Sequence, residues 1–209
     1  LQNVKASIEE LGRLKHELKF KSVQIGTFIN GRNLSDEEFV PFFKKAEELG
    51  MFVFLHPLIV NDNELTRNYH LSNLVGNPVQ TTIAITNLMF SGIFDLAPNL
   101  KIGLAHGGGF LPYQLGRMQH GYQVRNDTKS KAKKTPVEYV KKNVYFDGLT
   151  HSQGALKFLV EEFGSDKVMF GTDYPYDMAE YDQTEKIKAL GISKKMKNQI
   201  LFENAEEFF

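Results

Sequence analysis

The feature that most constrains this chain is an alternation. A short β-rich run is followed by a helical stretch, and the pattern recurs along the sequence. The runs are Val23–Thr27, Phe52–Leu55, Lys101–Ala105, Val144–Asp147 and Val168–Phe170. Between them apolar residues return at helical spacing, as in Phe39, Phe42, Phe43, Ala46 and Leu49, or Ala155, Leu156, Leu159, Val160 and Phe163. Strands that alternate with helices imply parallel βαβ units, because a parallel pair needs a crossover connection. An open doubly wound sheet and a β/α barrel both fit. His106-Gly-Gly-Gly109 is not the glycine fingerprint of a dinucleotide fold, and no Walker A loop is present.

Local signals set the expected element ends. Ser35 and Glu38 read as one capping box, and Thr135 and Glu138 as another. Pro41 conflicts with the first of these, since it would remove a helical hydrogen bond beyond the first turn, so a kink or a later start is expected. Leu58 to Gly76 has no clear period and reads as a long loop. Asn77-Pro78 reads as a cap followed by proline at the first helical position. Ile85, Leu88, Met89, Ile93 and Leu96 then line one buried face.

Composition excludes several classes. The chain has 209 residues, which is one domain by default, spanning residues 1–209. Lys plus Arg is 25 and Asp plus Glu is 25. That balance argues against a nucleic-acid module, which carries a net basic face. The basic stretch from Arg125 to Lys134 has no interleaved aromatics and reads as a solvated loop. Cysteine is absent, so a metal here must sit on His, Asp or Glu. No apolar run approaches a membrane span, and no export leader is visible, so a cytoplasmic protein with no membrane contact is expected.

Polar residues gather at the carboxyl ends of the strand-like runs: His56, His106, Asp147 and Asp173. In a β/α barrel those ends share one face, where catalytic groups sit. Neutral imidazole and carboxylate are ligands that a divalent metal accepts. Such a metal lowers the pKa of bound water and polarises substrate oxygens. An imidazole beside it can serve as acid or base near neutral pH. The glycines after His106 admit two readings, a surface for close substrate approach or a tight strand-to-helix corner.

Five segments together resemble the amidohydrolase superfamily: Val23-Gln-Ile-Gly-Thr27, Phe54-Leu-His-Pro57, Ala105-His-Gly-Gly-Gly109, Gly116-Arg-Met-Gln-His-Gly121 and Gly171-Thr-Asp-Tyr-Pro175. More narrowly they resemble its metal-dependent decarboxylase branch, typified by 2-amino-3-carboxymuconate-6-semialdehyde decarboxylase. The likeness runs from about Lys19 to the end. It implies a TIM-type (β/α)8 barrel, a divalent metal (zinc first, manganese as the other choice), and decarboxylation of a small unsaturated or aromatic carboxylic acid. A hydrolase or hydratase acting on a lactone or dicarboxylate shares the same motifs. By the resemblance His56 and Asp173 are metal ligands, and Asp173 also touches metal-bound water. His106 is the acid/base residue. Arg117 binds a substrate carboxylate, often across a dimer interface, so a homodimer or higher oligomer is expected. Tyr176 lines the pocket.

The family also uses a His-x-His pair at the end of the first barrel strand. Here histidines stand at 16, 56, 70, 106, 120 and 151, with no such pair. Matching Val23–Thr27 to barrel strand four makes this an incomplete barrel, strands four to eight with their helices. The expectation is a carboxy-terminal portion of a longer enzyme, whose first segment supplies the missing pair. Inactivity of the chain on its own is the further alternative. The exposed sheet edges would be Val23–Thr27 and Val168–Phe170, favouring weak stability or edge association.

Overall fold

The fold is that of a computed structural model describing residues 1–58 and 64–209. Five strands form one parallel sheet: β1 (Ser22–Ile25), β4 (Phe52–Leu55), β5 (Lys101–Leu104), β6 (Val144–Asp147) and β7 (Val168–Met169). Their spatial order is β1-β4-β5-β6-β7, which is also chain order. Each neighbour is therefore the next β/α unit, as in a barrel wall, and not the reversed order of a doubly wound sheet. These are successive units of a TIM-type barrel, with β1 and β7 at the two edges, as expected. A two-residue antiparallel hairpin, β2 (Phe28–Ile29) with β3 (Arg32–Asn33), follows β1. The sequence reading missed it.

The two faces of the sheet have different tasks. Val53 and Leu55, Ile102 and Leu104, Val144 and Phe146 alternate along their strands and pack outward into the main core. That core lies against α2 (Val40–Glu48), α3 (Asn77–Phe90), α5 (Leu111–Val124), α6 (Pro136–Asn143) and α7 (Gln153–Phe163). The opposite face is the barrel interior. There Phe52, Tyr145 and Met169 meet Phe208, with Phe52 and Phe208 stacked at 4.5 Å. Gly103 lies between them for want of room: a Cβ would come within 2.5 Å of the Phe52 ring and 2.8 Å of Phe54. Burial on both faces is why these strands read as near-continuous apolar runs.

Several expected boundaries shift. Asp36, not Ser35, accepts the Glu38 N–H, opening a single 3₁₀ turn at Glu37–Phe39. The α-helix proper then starts at Val40 with Pro41 in its first turn, where a missing N–H costs nothing. Asn77 does not cap α3, because a π-helical turn at Ser72–Gly76 runs straight into it. Part of the expected long loop is therefore helical; its segment 59–63 lies outside the described residues. Gly92, in the left-handed region, ends the buried face early, so Ile93 starts a separate short helix and Leu96 is half exposed. The capping box at Thr135 and Glu138 forms with both bonds in place. Among the described residues no helix is long and apolar enough to cross a membrane.

Candidate metal centre

Four strand ends build the site. His56 follows β4 directly, and its N–H still donates to the Ile25 carbonyl at 3.0 Å, so it is held by the ladder. His106 follows β5 after Ala105, whose N–H donates to the Leu55 carbonyl. Asp147 is the last residue of β6, and Asp173 follows β7 by four positions. A parallel sheet brings these carboxyl ends to one rim although the residues are scattered in sequence.

At the rim His56 Nε2 lies 3.5 Å from Asp173 Oδ1, and His106 Nε2 lies 3.9 Å from Asp173 Oδ2. Each imidazole faces a different oxygen of one carboxylate. The two rings are 5.0 Å apart. One ligand atom from each of the three residues falls within 4.8 Å of the others. His56 Nε2 and His106 Nδ1 are buried with no hydrogen-bond partner. A buried polar atom without a partner is costly; His56 Nε2 is the one that faces Asp173, and a cation held between them removes its cost, whereas His106 turns Nε2, not its unpartnered Nδ1, toward Asp173. The residues therefore fit a divalent metal. Burial, which favours the neutral imidazole, holds the His106 pKa below its usual value against the opposing pull of the Asp173 carboxylate.

The turn after His106 answers the question left open by its glycines. Gly107, Gly108 and Gly109 all have positive φ, and the first two are buried. A Cβ on Gly107 would approach Thr150 Cγ2 at 2.9 Å, and one on Gly108 would approach the Phe146 ring at 2.6 Å. They form a tight corner packed against protein. His106 and Asp173 also carry positive φ, 56° and 58°. Non-glycine residues there cost about 1–3 kcal/mol each and gather at functional sites.

Two cavities meet the three residues. One, of about 560 Å³, opens on the barrel interior beside His56, Asp147, Asp173 and Tyr176. The Tyr176 ring lies nearly parallel to that of His56 at 6.4 Å and is well exposed. The other, of about 220 Å³, lies on the far side of His106 and is walled by Asn77, Thr150, His151 and Met178. His151 Nδ1 sits 3.4 Å from the Glu180 carboxylate, which Lys186 also contacts. Sequence reasoning passed over Met178 and Glu180, which carry no motif, and read Asn77 only as a helix cap. Arg117 is not brought to this site: it is exposed on α5 and lines neither cavity.

The amidohydrolase family profile matches residues 1–209, the whole chain. This chain belongs to the amidohydrolase family. Among the similar members is the 2-amino-3-carboxymuconate-6-semialdehyde decarboxylase of Dictyostelium discoideum, 40% identical over 210 residues, covering 100% of this chain and 58% of that protein. The gamma-resorcylate decarboxylase of a Polaromonas species is 27% identical, covering 100% of this chain and 68% of its own length. A solved amidohydrolase relative is the 5-carboxyvanillate decarboxylase of Novosphingobium aromaticivorans, complexed with manganese and 4-hydroxy-3-methoxy-5-nitrobenzoic acid. It superposes with a TM-score of 0.88 at 32% identity, covering 99% of this chain and 61% of that one. The chain thus spans less than two thirds of the first relative's length.

Proposed function

We propose that this chain carries the metal-binding rim and acid/base group of a decarboxylase acting on small unsaturated or aromatic carboxylic acids. The observation that carries the reading is the meeting of His56, His106 and Asp173 at the carboxyl ends of three strands, with the His56 Nε2 that faces Asp173 buried and without a hydrogen-bond partner. The similar proteins described above support the reaction class, since each is named for a decarboxylation.

In this reading His56 and Asp173 hold a divalent ion. When bound, the ion neutralises charge at a substrate oxygen and acidifies coordinated water. Nitrogen and oxygen donors suit zinc and manganese alike; the manganese in the solved relative favours manganese over the zinc first expected. His106 stands beside the ion as the proton donor. Decarboxylation breaks the bond between the carboxyl carbon and its neighbour, and carbon dioxide leaves. The electron pair stays on the neighbouring carbon, and a proton that His106 first takes up from solvent fills that position, leaving the imidazole neutral again. A lowered His106 pKa makes its protonated form a stronger acid for that step.

Tyr176 offers a ring edge to a flat substrate in the larger cavity. Arg117 is assigned to the carboxylate of a substrate held by a neighbouring subunit in a homodimer or larger assembly. Its exposure on α5, lining neither cavity of its own chain, supports that assignment. The test is carbon dioxide release from 2,6-dihydroxybenzoate and from 5-carboxyvanillate by manganese-loaded protein. Release that is lost in His106→Ala supports the reading. Addition of water to an unsaturated acid or opening of a lactone, with no carbon dioxide, overturns it.

A further inference from the structure

Asp147 is 7% exposed and its carboxylate has no cationic partner among the hydrogen bonds described. Instead it accepts three backbone N–H groups. His106 donates to Oδ2 at 3.0 Å, Gly107 to Oδ1 at 2.7 Å, and Leu149 to Oδ1 at 3.2 Å. Two of the three come from the turn after β5, 41 and 40 residues upstream. That turn is where a non-glycine residue, His106, is held at a φ of 56° and is followed by Gly107 at 61°. Two successive N–H groups pointing at one anion form a small concave nest, and an anion there stabilises the backbone that makes it. Gly171, two residues before Asp173, completes the packing: a Cβ there would sit 3.0 Å from the Asp147 Cβ. One buried carboxylate thus joins the β6 end to the His106 turn and abuts the segment that carries Asp173.

We propose that Asp147 is the positioning residue of this site, clamping the His106–Gly107 backbone in the left-handed turn that aims the His106 imidazole at Asp173 and His56. It touches neither substrate nor metal in this account; it acts through His106. A neutral amide cannot replace it, because an Asn side chain has one acceptor oxygen and would set an N–H₂ against one of the three donors. The proposal deepens the role given to His106 above and rests on it for its functional meaning. The clamp itself is a property of the metal-free chain.

The experiment is nuclear magnetic resonance of the isotopically labelled, metal-free chain, wild type and Asp147→Asn, with manganese binding measured in parallel. Tyr139→Phe, a buried position within α6 whose hydroxyl donates to Asp95, serves as a destabilised control. In Asp147→Asn the His106 and Gly107 amides are expected to exchange about tenfold faster or more. The nuclear Overhauser contact between the His106 and His56 rings, 5.0 Å apart, is expected to disappear. Manganese affinity stays within about threefold of wild type, since His56 and Asp173 are untouched. In Tyr139→Phe the ring contact persists. Unchanged His106 and Gly107 signals in Asp147→Asn overturn the proposal. So does a uniform loss of amide protection across β5 and β6 with loss of manganese binding, which marks a merely structural role. If Asp147→Asn does not fold, couplings across the hydrogen bonds from the His106 and Gly107 nitrogens to the Asp147 carboxyl carbon decide in the wild type: present, they support the clamp; absent, they overturn it. A wild-type chain that binds no manganese defeats the metal reading alone, and the metal-free signals still judge Asp147.

Discussion

His106 and Asp173 face each other at 3.9 Å while both backbones stand in the left-handed region, at 56° and 58°. Two strained residues at one contact mean that the rim is held by its surroundings and not by local preference. The same geometry sets function against stability. Asp173→Gly relieves the φ strain and removes a carboxylate whose charge acts on the buried Asp147. The melting temperature of Asp173→Gly is expected to rise by about 2–4 °C, the shift for roughly 1 kcal/mol in a chain of this size. Divalent cation binding is lost in the same variant. Calorimetric melting and metal titration of the two proteins check both halves.

The barrel interior is packed around an absence. Gly103→Ala places a methyl group against the Phe52 and Phe54 rings, so one ring must leave its rotamer. A destabilisation of about 1–3 kcal/mol is expected, as for other over-packed cores. Denaturant unfolding followed by tyrosine fluorescence measures it. A neutral result would show that the interior aromatics have slack.

Tyr145, in the same interior, is 7% exposed, and burial pushes its phenol up to about 12, with the Glu207 and Asp166 carboxylates adding to the shift. The free phenol ionises near 10. Stability from this group is full below about 10 and is lost as pH rises toward 12, because the unfolded chain releases the proton first. Unfolding free energy measured from pH 9 to 12 is expected to fall over that window in wild type. In Tyr145→Phe the fall is smaller.

The capping box at the start of α6 gives a local test. Thr135 Oγ1 accepts the Glu138 N–H, and Glu138 Oε2 accepts the Thr135 N–H at 2.8 Å. Thr135→Ala removes the side-chain half and is expected to cost about 1 kcal/mol. Chemical denaturation checks the value, and cation binding at the distant rim is expected to stay unchanged.

Much of this was legible in the sequence. The five strand cores were fixed by runs too apolar for one-sided burial, so Phe52–Leu55 and Val144–Asp147 match residue for residue. The convergence of His56, His106 and Asp173 followed from their places at strand ends, because a parallel sheet turns scattered ends into one rim. What escaped was whatever depends on competition between neighbours. Ser35 and Asp36 are both good caps, and only the three-dimensional turn selects Asp36. Asn77 carries a cap-like signature, yet the residues before it continue as a π turn. Leu96 continued the apolar period, but Gly92 had already turned the chain away. Asp147 stood at a strand end in plain view, while two of its three backbone donors come from a turn whose approach no local pattern announces.

The most direct test is the metal content of the purified chain after incubation with manganese or zinc and removal of free ion, measured beside His56→Ala and Asp173→Ala. The expected result is about one divalent ion per wild-type chain and loss of that ion in both variants. Equal metal content in all three proteins would contradict the assignment of His56 and Asp173 as ligands, and with it the reading of the rim as a metal centre.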